Sequence, residues 1–489
     1  MSLRILAKHS ALYTLGNIAP KIGAFLLLPI YVRFLSQADY GSVALMTSLA
    51  GILAIVYHLG VDGALMRLHF DTEGRARSRL YLTVAAFTLV TSTVLTGVAA
   101  LTLGPTFESL FAGTPFVFLG LLALLLAFAG SLHFIPSVLF RASGQAGRFL
   151  AVNLGSFGLS SVMSLVLVVV FDLGAAGVLL GQLISNVTIM AVSIVIVTRL
   201  GRLEFDVGAL RASLRLGLPL LPHALSAWAL RLADRWLLAL FLGLPMIEAR
   251  SQIGVYAVGY QLGFIVTVVI SSFNAAWSPY FFRIADRPQA PRFYADMTNV
   301  VLAGVLVLAV AASALAPEIV ALVARPGYEG AADVLPVIAF ACVIQGAYTM
   351  FVTVVFFVKR TGPLAFITFG SALLNVLLNV LLIPGLGIMG AAWATMGAYA
   401  FFATATYLFA RRLYPINLAW IRLSILLIAG AALVIALRWA VPGPSIAAAA
   451  LHLGAAIAYL GVAAAICRVP VERLRAVSRR LPADSDSAA

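Results

Sequence analysis

Long apolar runs, one after another, constrain this chain more than any other feature. About 20 residues of helix cross the hydrocarbon core of a membrane, and the sequence contains fourteen runs of about that length. We predict spans near residues 10–33, 40–63, 80–103, 115–140, 150–171, 176–198, 217–242, 254–281, 296–316, 332–358, 363–384, 388–410, 421–441 and 446–467. Two of the breaks between apolar runs, DLGAAG and PGLGIMG, are very short. The expected number of spans is therefore twelve to fourteen, with fourteen as the best count.

Composition supports the same class. Of the 489 residues, 62% are hydrophobic and only 10% are charged, whereas a soluble domain usually has about 25% charged residues. We therefore predict an all-α, polytopic membrane protein. Cys342 and Cys467 are too few for a disulfide framework. There is no HExxH or CxxC motif and no Walker-type loop, so we expect no catalytic site, no metal and no cofactor.

Positive charge is concentrated in alternate loops. If the amino terminus is cytoplasmic, 25 of the 32 Lys and Arg residues fall on the cytoplasmic side, four fall on the opposite side, and Lys21, Arg231 and Arg235 lie within spans. Cytoplasmic loops carry an excess of Lys and Arg, so we expect both termini to be cytoplasmic. The start MSLRILAKHS has no cleavage site before the first span, which we expect to be retained. The net charge of +14 then reflects contacts with lipid headgroups, and no nucleic acid partner is expected.

An internal repeat divides the chain. Glycines separated by a constant 213 residues are Gly41 and Gly254, Gly174 and Gly387, and Gly177 and Gly390. Six spans fit within this offset, so the two halves have parallel orientation, and transport sites usually lie at the interface of such halves. We predict two six-helix lobes at residues 1–200 and 201–412, followed by two further helices and a basic tail at 413–489.

Four ionisable side chains lie inside the first spans of the two halves. Asp234 follows Lys21 by 213 residues, which places opposite charges at equivalent depth. Asn17 shares a helix face with Lys21, and Arg231 shares one with Asp234 and Arg235. If the two spans meet, all four charges line one chamber. Each buried charge costs at least about 2.5–3.5 kcal/mol, so something must offset that cost.

Two interpretations of these charges remain open. In one, they pair and join helices together, with Asp234 as the shared partner of the cations. In the other, they line a water-filled chamber with a net positive charge. Pairing leaves two of the three cations without a carboxylate, and the chamber therefore accounts for more of the charges. Arg67 and Arg283, near equivalent helix ends, are either an entrance for an anion or anchors to lipid headgroups.

Several motifs resemble one family. They are LLPIYVRFLSQADYGSVAL, HLGVDGALMR, LADRWLLALFLG, IGVYAVGYQL, AAWSPYFF and the two LGxxG turns. In their order and spacing, residues 10–410 resemble the polysaccharide transporters, the Wzx-type flippases of lipid-linked oligosaccharides within the multidrug/oligosaccharidyl-lipid/polysaccharide exporter superfamily. The resemblance implies two lobes in a V, with a cavity walled chiefly by the first, second, seventh and eighth spans.

The resemblance also implies a cargo and a place. The cargo would be a polyprenyl-diphosphate-linked glycan, moved from the cytoplasmic to the outer leaflet of the bacterial inner membrane for O-antigen, capsule or exopolysaccharide synthesis. Lys21, Arg231, Asp234 and Arg235 would face the cavity, and Arg33 would lie at its outer rim. Partners would be the glycan lipid, membrane lipids and other membrane proteins of polysaccharide assembly.

Three other functions compete with this one. A lipid II flippase would have the same fold and a related cargo. A multidrug cation exporter would need carboxylates, but the chamber has one acid and three bases. A membrane-embedded glycan polymerase or ligase would need a large outer loop, and the longest, APEIVALVARPGYEGAAD, has fewer than twenty residues. Asp234 is the carboxylate placed to couple transport to protons or sodium, if the membrane potential does not drive it alone.

Overall fold

Helices form every regular element of the part of the chain that the structure describes. The computed structural model describes residues 3–201, 204–441 and 443–467, with side chains from residue 12 to residue 466. The basic tail predicted at the carboxyl end lies outside these residues. The helices are α1 (Leu3–Phe34), α2 (Gln37–His58), α3 (Val61–Asp71), α4 (Gly74–Thr102), α5 (Gly104–Leu110), α6 (Leu121–Gly130), α7 (Phe134–Ala142), α8 (Ala146–Leu165), α9 (Gly174–Leu200), α10 (Val207–Gly217), α11 (Leu221–Phe241), α12 (Met246–Gly263), α13 (Ile265–Ile284), α14 (Ala290–Ala314), α15 (Ala316–Val323), α16 (Ala331–Phe357), α17 (Gly362–Leu386), α18 (Ile388–Leu413), α19 (Trp420–Ala440) and α20 (Ile446–Cys467).

The predicted spans correspond to these helices. Within the described residues, thirteen helical segments are long and apolar enough to cross a membrane, with α12 and α13 forming one continuous segment, Met246–Ile284. The predicted seventh span corresponds to α11, whose three charged residues keep it out of that set. Counting α11, the described helices match the fourteen predicted spans, and the all-helical membrane fold is confirmed.

The repeat is visible in the backbone. Gly174 has φ +52° and Gly387 has φ +57°, a left-handed conformation that glycine adopts without steric cost. Each lies at the tight turn into a long helix, α9 in the first half and α18 in the second. Because the two residues are 213 positions apart, a glycine with positive φ recurs at the predicted offset.

The pair Gly41 and Gly254 lies where the two halves touch. A Cβ atom on Gly254 in α12 would lie 3.0 Å from the backbone nitrogen of Gly41 in α2 and would overlap the carbonyl oxygen of Gln37. A Cβ on Gly41 would in turn overlap the carbonyl oxygen of Arg250. The two helices therefore meet backbone to backbone at equivalent residues, as expected of halves related by a two-fold axis.

The last two helices pack against the second half of the chain. In α19, Arg438 Nη1 lies 2.9 Å from Asp333 Oδ1 of α16. In α20, His452 Nδ1 lies 3.0 Å from Glu318 Oε1 of α15. These contacts attach both helices at the end of the bundle where α15 lies. The predicted lobe boundaries near 200 and 412 fall at the ends of α9 and α18.

Candidate functional site

Helix α11 carries the charges that the sequence singled out, and it lies against α2 of the first half. Trp228 Nε1 donates to the backbone oxygen of Ser48 at 3.1 Å, and Trp236 Nε1 donates to Ser48 Oγ at 2.7 Å. The two indole rings pack edge to face with centroids 5.1 Å apart. Two tryptophans of α11 thus donate hydrogen bonds to one serine of α2. The charged residues of α11 lie between these two tryptophans in the helix.

Asp234 is fully buried, and three neutral side chains donate to it. Tyr256 Oη donates to Oδ2 at 2.6 Å and Thr395 Oγ1 to the same oxygen at 3.0 Å. Asn379 Nδ2 approaches Oδ1 at 3.5 Å. These donors come from α12, α18 and α17. Burying a carboxylate is costly unless it is hydrogen-bonded, and these donors, together with a neighbouring arginine, offset that cost.

Arg235 is the neighbouring arginine, and it is buried as well, with 6% of its surface exposed. Its Nη1 donates to the backbone oxygen of Arg231 at 2.6 Å and lies 3.9 Å from Asp234 Oδ2. Its Cζ lies 4.3 Å from the ring centroid of Tyr260 and 5.5 Å from that of Tyr256. Arg235 is therefore held by an ion pair and by cation–π contacts.

The other charges of the predicted chamber are arranged differently. Asn17, Lys21 and Arg231 are exposed. Within the described residues, neither Lys21 nor Arg231 forms a salt bridge. The expectation that all four charges share one open chamber is therefore not met in this conformation, because Asp234 and Arg235 are enclosed by aromatic, amide and hydroxyl side chains of the second half. Asp234 and Arg235 thus form a buried ion pair, whereas Lys21 and Arg231 are exposed.

The remaining predicted residues lie at helix ends. Arg33, at the end of α1, is exposed and donates from Nη2 to the backbone oxygen of Leu322 in α15 at 3.1 Å. Arg67 is exposed, with Nε 3.4 Å from Asp71 Oδ2 on its own helix. Arg283 is exposed near the end of α13, with Cζ 5.9 Å from the ring centroid of Tyr280. None of the three contacts the group around Asp234.

Three partners of Asp234 were missed in the sequence, and one of them had a visible signal. Asn375 and Asn379 stand four residues apart in the apolar run NVLLN, so both amides lie on one face of α17. Amides in a span mark a face that must find polar partners. In the structure Asn375 Nδ2 and Asn379 Oδ1 are buried without a hydrogen-bond partner among the described residues. Tyr256 and Thr395 had no comparable signal.

Comparison with solved structures identifies the kind of fold. A lipid II flippase MurJ in an inward closed conformation has a TM-score of 0.72 and 14% identity, covering 93% of this chain and 98% of that chain. An inward-facing multidrug resistance MATE family transporter has a TM-score of 0.58 and 17% identity, covering 82% and 94%. At these identities the likeness is one of fold. The duplicated helical bundle thus defines a multi-pass membrane protein with a transporter-like fold.

Comparison by sequence identifies the family. The profile of the family described as "Polysaccharide biosynthesis protein" matches residues 6–285, more than half of the chain, and the protein belongs to that family. A curated relative, "Lsg locus putative protein 1" of Haemophilus influenzae, is 26% identical over 283 residues. That alignment covers 56% of this chain and 65% of the relative, just under two thirds of its length.

Proposed function

We propose that this protein is a flippase that carries a polyprenyl-diphosphate-linked oligosaccharide from the cytoplasmic to the outer leaflet by alternating access. In this proposal it serves surface polysaccharide synthesis in the bacterial inner membrane, with both termini cytoplasmic. The membership in a polysaccharide biosynthesis family and the transporter-like fold support the proposal. The distribution of Lys and Arg among the loops supports the orientation.

Unpaired cations inside spans are the observation that carries the proposal. Lys21 and Arg231 are exposed within α1 and α11 and have no carboxylate partner among the described residues. Facing lipid, each would be costly. Facing a wet path between the halves, each would attract the diphosphate of the cargo, since arginine's forked donors match phosphate oxygens. The polyprenyl tail would stay in the bilayer while the headgroup crosses.

The direction of transport has a physical rationale. A diphosphate headgroup carries about two negative charges. Moving it outward across an inside-negative membrane releases about 4–5 kcal/mol per 100 mV. The membrane potential alone would therefore favour export. An ion gradient would be needed only if the headgroup crosses with compensating cations.

Asp234 is the proposed coupling group if an ion does contribute. Oδ2 accepts two short hydrogen bonds, whereas the nearest described donor to Oδ1 is an amide nitrogen at 3.5 Å. A contact of that length contributes little, so Oδ1 has capacity for a proton or a sodium ion. The unpaired Asn379 Oδ1 offers a further oxygen. Asp234→Asn should abolish any dependence of transport on a proton or sodium gradient while preserving its dependence on potential.

The first test determines in which leaflet the lipid-linked glycan accumulates in cells that lack the gene. An impermeant glycosidase added from the periplasmic side should fail to reach it, and the wild-type gene should restore access. Arg231→Ala should slow export by about tenfold or more, because hydrogen bonds to charged groups are worth about 1.5–3 kcal/mol. Arg211→Ala, an exposed arginine of α10, is the matched control and should export normally.

The same cells distinguish the competing functions. Accumulation of lipid II in place of a polymer repeat would identify a lipid II flippase, whose cargo shares the polyprenyl diphosphate. Normal glycan export together with new sensitivity to cationic drugs would refute the proposal in favour of a multidrug exporter. Glycan that reaches the outer face but stays unpolymerised would indicate a polymerase or ligase.

A further inference from the structure

A cavity of about 470 Å³ lies inside the first half of the chain, apart from the charges of α11. It is bounded by α1, α2, α6, α8 and α9. Its size falls in the range of ligand pockets, about 300–1,000 Å³. No Asp, Glu, Lys or Arg is among the lining residues, and His133 is the titratable one. The lining polar groups that matter most here are Asn153, Ser160, Gln182 and Asn186.

Much of the hydrogen-bonding capacity of this lining is unused. Asn153 Nδ2 donates to the Phe149 backbone oxygen at 2.9 Å, and Asn186 Nδ2 donates to that of Leu126 at 3.1 Å. No hydrogen bond engages either amide oxygen, or the side chains of Ser160 and Gln182, within the described residues. All four of these side chains are partly exposed, so their unused donors and acceptors are accessible from the cavity. The cavity therefore offers donors and acceptors to a polar occupant.

The repeat relates this cavity to the site of Asp234. Gln182 precedes Thr395, a donor to Asp234, by 213 residues. The position equivalent to Asp234 is Lys21, which is exposed and follows Pro20, itself part of the lining. Equivalent places in the two halves thus differ in chemistry. The second half encloses a carboxylate, whereas the first half leaves an uncharged polar cavity.

The chemistry of the lining selects a neutral ligand rich in hydroxyl groups. A metal cation would require carboxylates, and an anion would require arginine or lysine. Amide and hydroxyl side chains both donate and accept, as the hydroxyl groups of a sugar do. Phe157, also in the lining, adds an aromatic face for the C–H groups of a sugar ring.

We propose that this cavity binds a sugar unit of the glycan while Lys21 and Arg231 hold the diphosphate. The inference rests on the proposed function and names the part of the cargo that the first half would recognise. Gln182 contributes most to recognition of the sugar in this proposal, because its side-chain amide both donates and accepts hydrogen bonds and has no partner within the described residues. Ser160 adds a hydroxyl on the neighbouring helix α8.

The test measures binding of a sugar without its lipid or phosphate. Mild acid releases the oligosaccharide from the lipid-linked glycan that accumulates in cells lacking the gene, and this is the probe. Its affinity for the purified full-length protein is measured by calorimetry. Gln182→Leu should weaken binding about tenfold, and Ser160→Ala should weaken it severalfold. Gln345→Leu, the same substitution in α16, is the matched control and should bind like the wild type, as should Arg231→Ala, because the probe carries no phosphate.

Each other result counts against the sugar site. Equal affinity of Gln182→Leu, Ser160→Ala and Gln345→Leu would overturn it, and so would loss of binding in Arg231→Ala alone. If Gln182→Leu elutes as an aggregate, Ser160→Ala decides, since it removes a hydroxyl that has no partner within the described residues. A protein that exports the lipid-linked glycan but does not bind the probe refutes the sugar site alone. Cells that accumulate no lipid-linked glycan refute the proposed function and the sugar site with it.

Discussion

The backbone contact between α2 and α12 leads to a sharp prediction for Gly254→Ala. The added Cβ would lie 3.0 Å from the backbone nitrogen of Gly41 and overlap the carbonyl oxygen of Gln37. Both neighbours are backbone atoms of a helix, so neither can rotate away as a side chain would. The two halves must instead separate at this point.

The magnitude follows from a matched control. Gly158→Ala, in α8, places its Cβ with no atom within 4 Å and should gain about 0.5–1 kcal/mol from helix propensity. Gly254→Ala has the same gain but adds an overpacking cost of about 1–3 kcal/mol. The two variants should therefore differ by about that cost. A difference of 1.4 kcal/mol is tenfold in an equilibrium constant, so the constant that favours contact between α2 and α12 over separation should be lower by about fivefold or more in Gly254→Ala.

Labelling of a single cysteine measures this opening. The native Cys342 and Cys467 are first replaced by alanine. The single cysteine is then introduced by Gln37→Cys, because Gln37 lies beside the contact. The rate of reaction with an impermeant maleimide should rise in Gly254→Ala and stay unchanged in Gly158→Ala. The reasoning would be refuted by equal labelling rates and equal thermal stability in the two glycine variants, because the contact would then have room for a methyl group.

Three further predictions test other contacts. Asp234→Ala should lower the free energy of unfolding by about 3–5 kcal/mol, measured in denaturant, because a buried arginine then lacks its carboxylate; loss below 1 kcal/mol would contradict this. Trp236→Phe keeps a ring but removes the hydrogen bond to Ser48 Oγ and should cost about 0.5–1.5 kcal/mol in the same assay; an unchanged midpoint would count against the bond. The Gly327 N–H, bonded to both oxygens of Glu329, lowers the pKa of that carboxyl below 4.5. Its stabilisation is present above that ordinary value and is lost as pH falls through the lowered pKa, so Glu329→Gln should flatten the decline in melting temperature below about pH 4.5; an identical decline would refute this.

The helical membrane fold and its duplication were predictable because both depend on local properties. A run of about 20 apolar residues must form a helix in a bilayer, since no water is present to satisfy its backbone groups. Gly174 and Gly387 recur because the same tight turn needs a positive φ in both halves. The seventh span was predictable as well, although its three charged residues make it less hydrophobic than the other spans.

The arrangement of the charges was only partly predictable. Helical spacing indicates which residues share a face but not which helix covers that face. The repeat placed Asp234 and Lys21 at equivalent depth, and this favoured a shared chamber. In the structure Tyr256 and Thr395 donate to the carboxylate and enclose it, while Lys21 stays exposed.

The sequence by itself determined what each segment must do: cross the membrane, turn at a glycine, and repeat after 213 residues. These outcomes depend on hydropathy and backbone sterics, which act within a segment. The tertiary structure decided which neighbours each polar group meets. Asp234 became a buried, hydrogen-bonded carboxylate and Gln182 part of an open cavity lining because that outcome depends on helices far apart in the chain, whose packing no local pattern encodes.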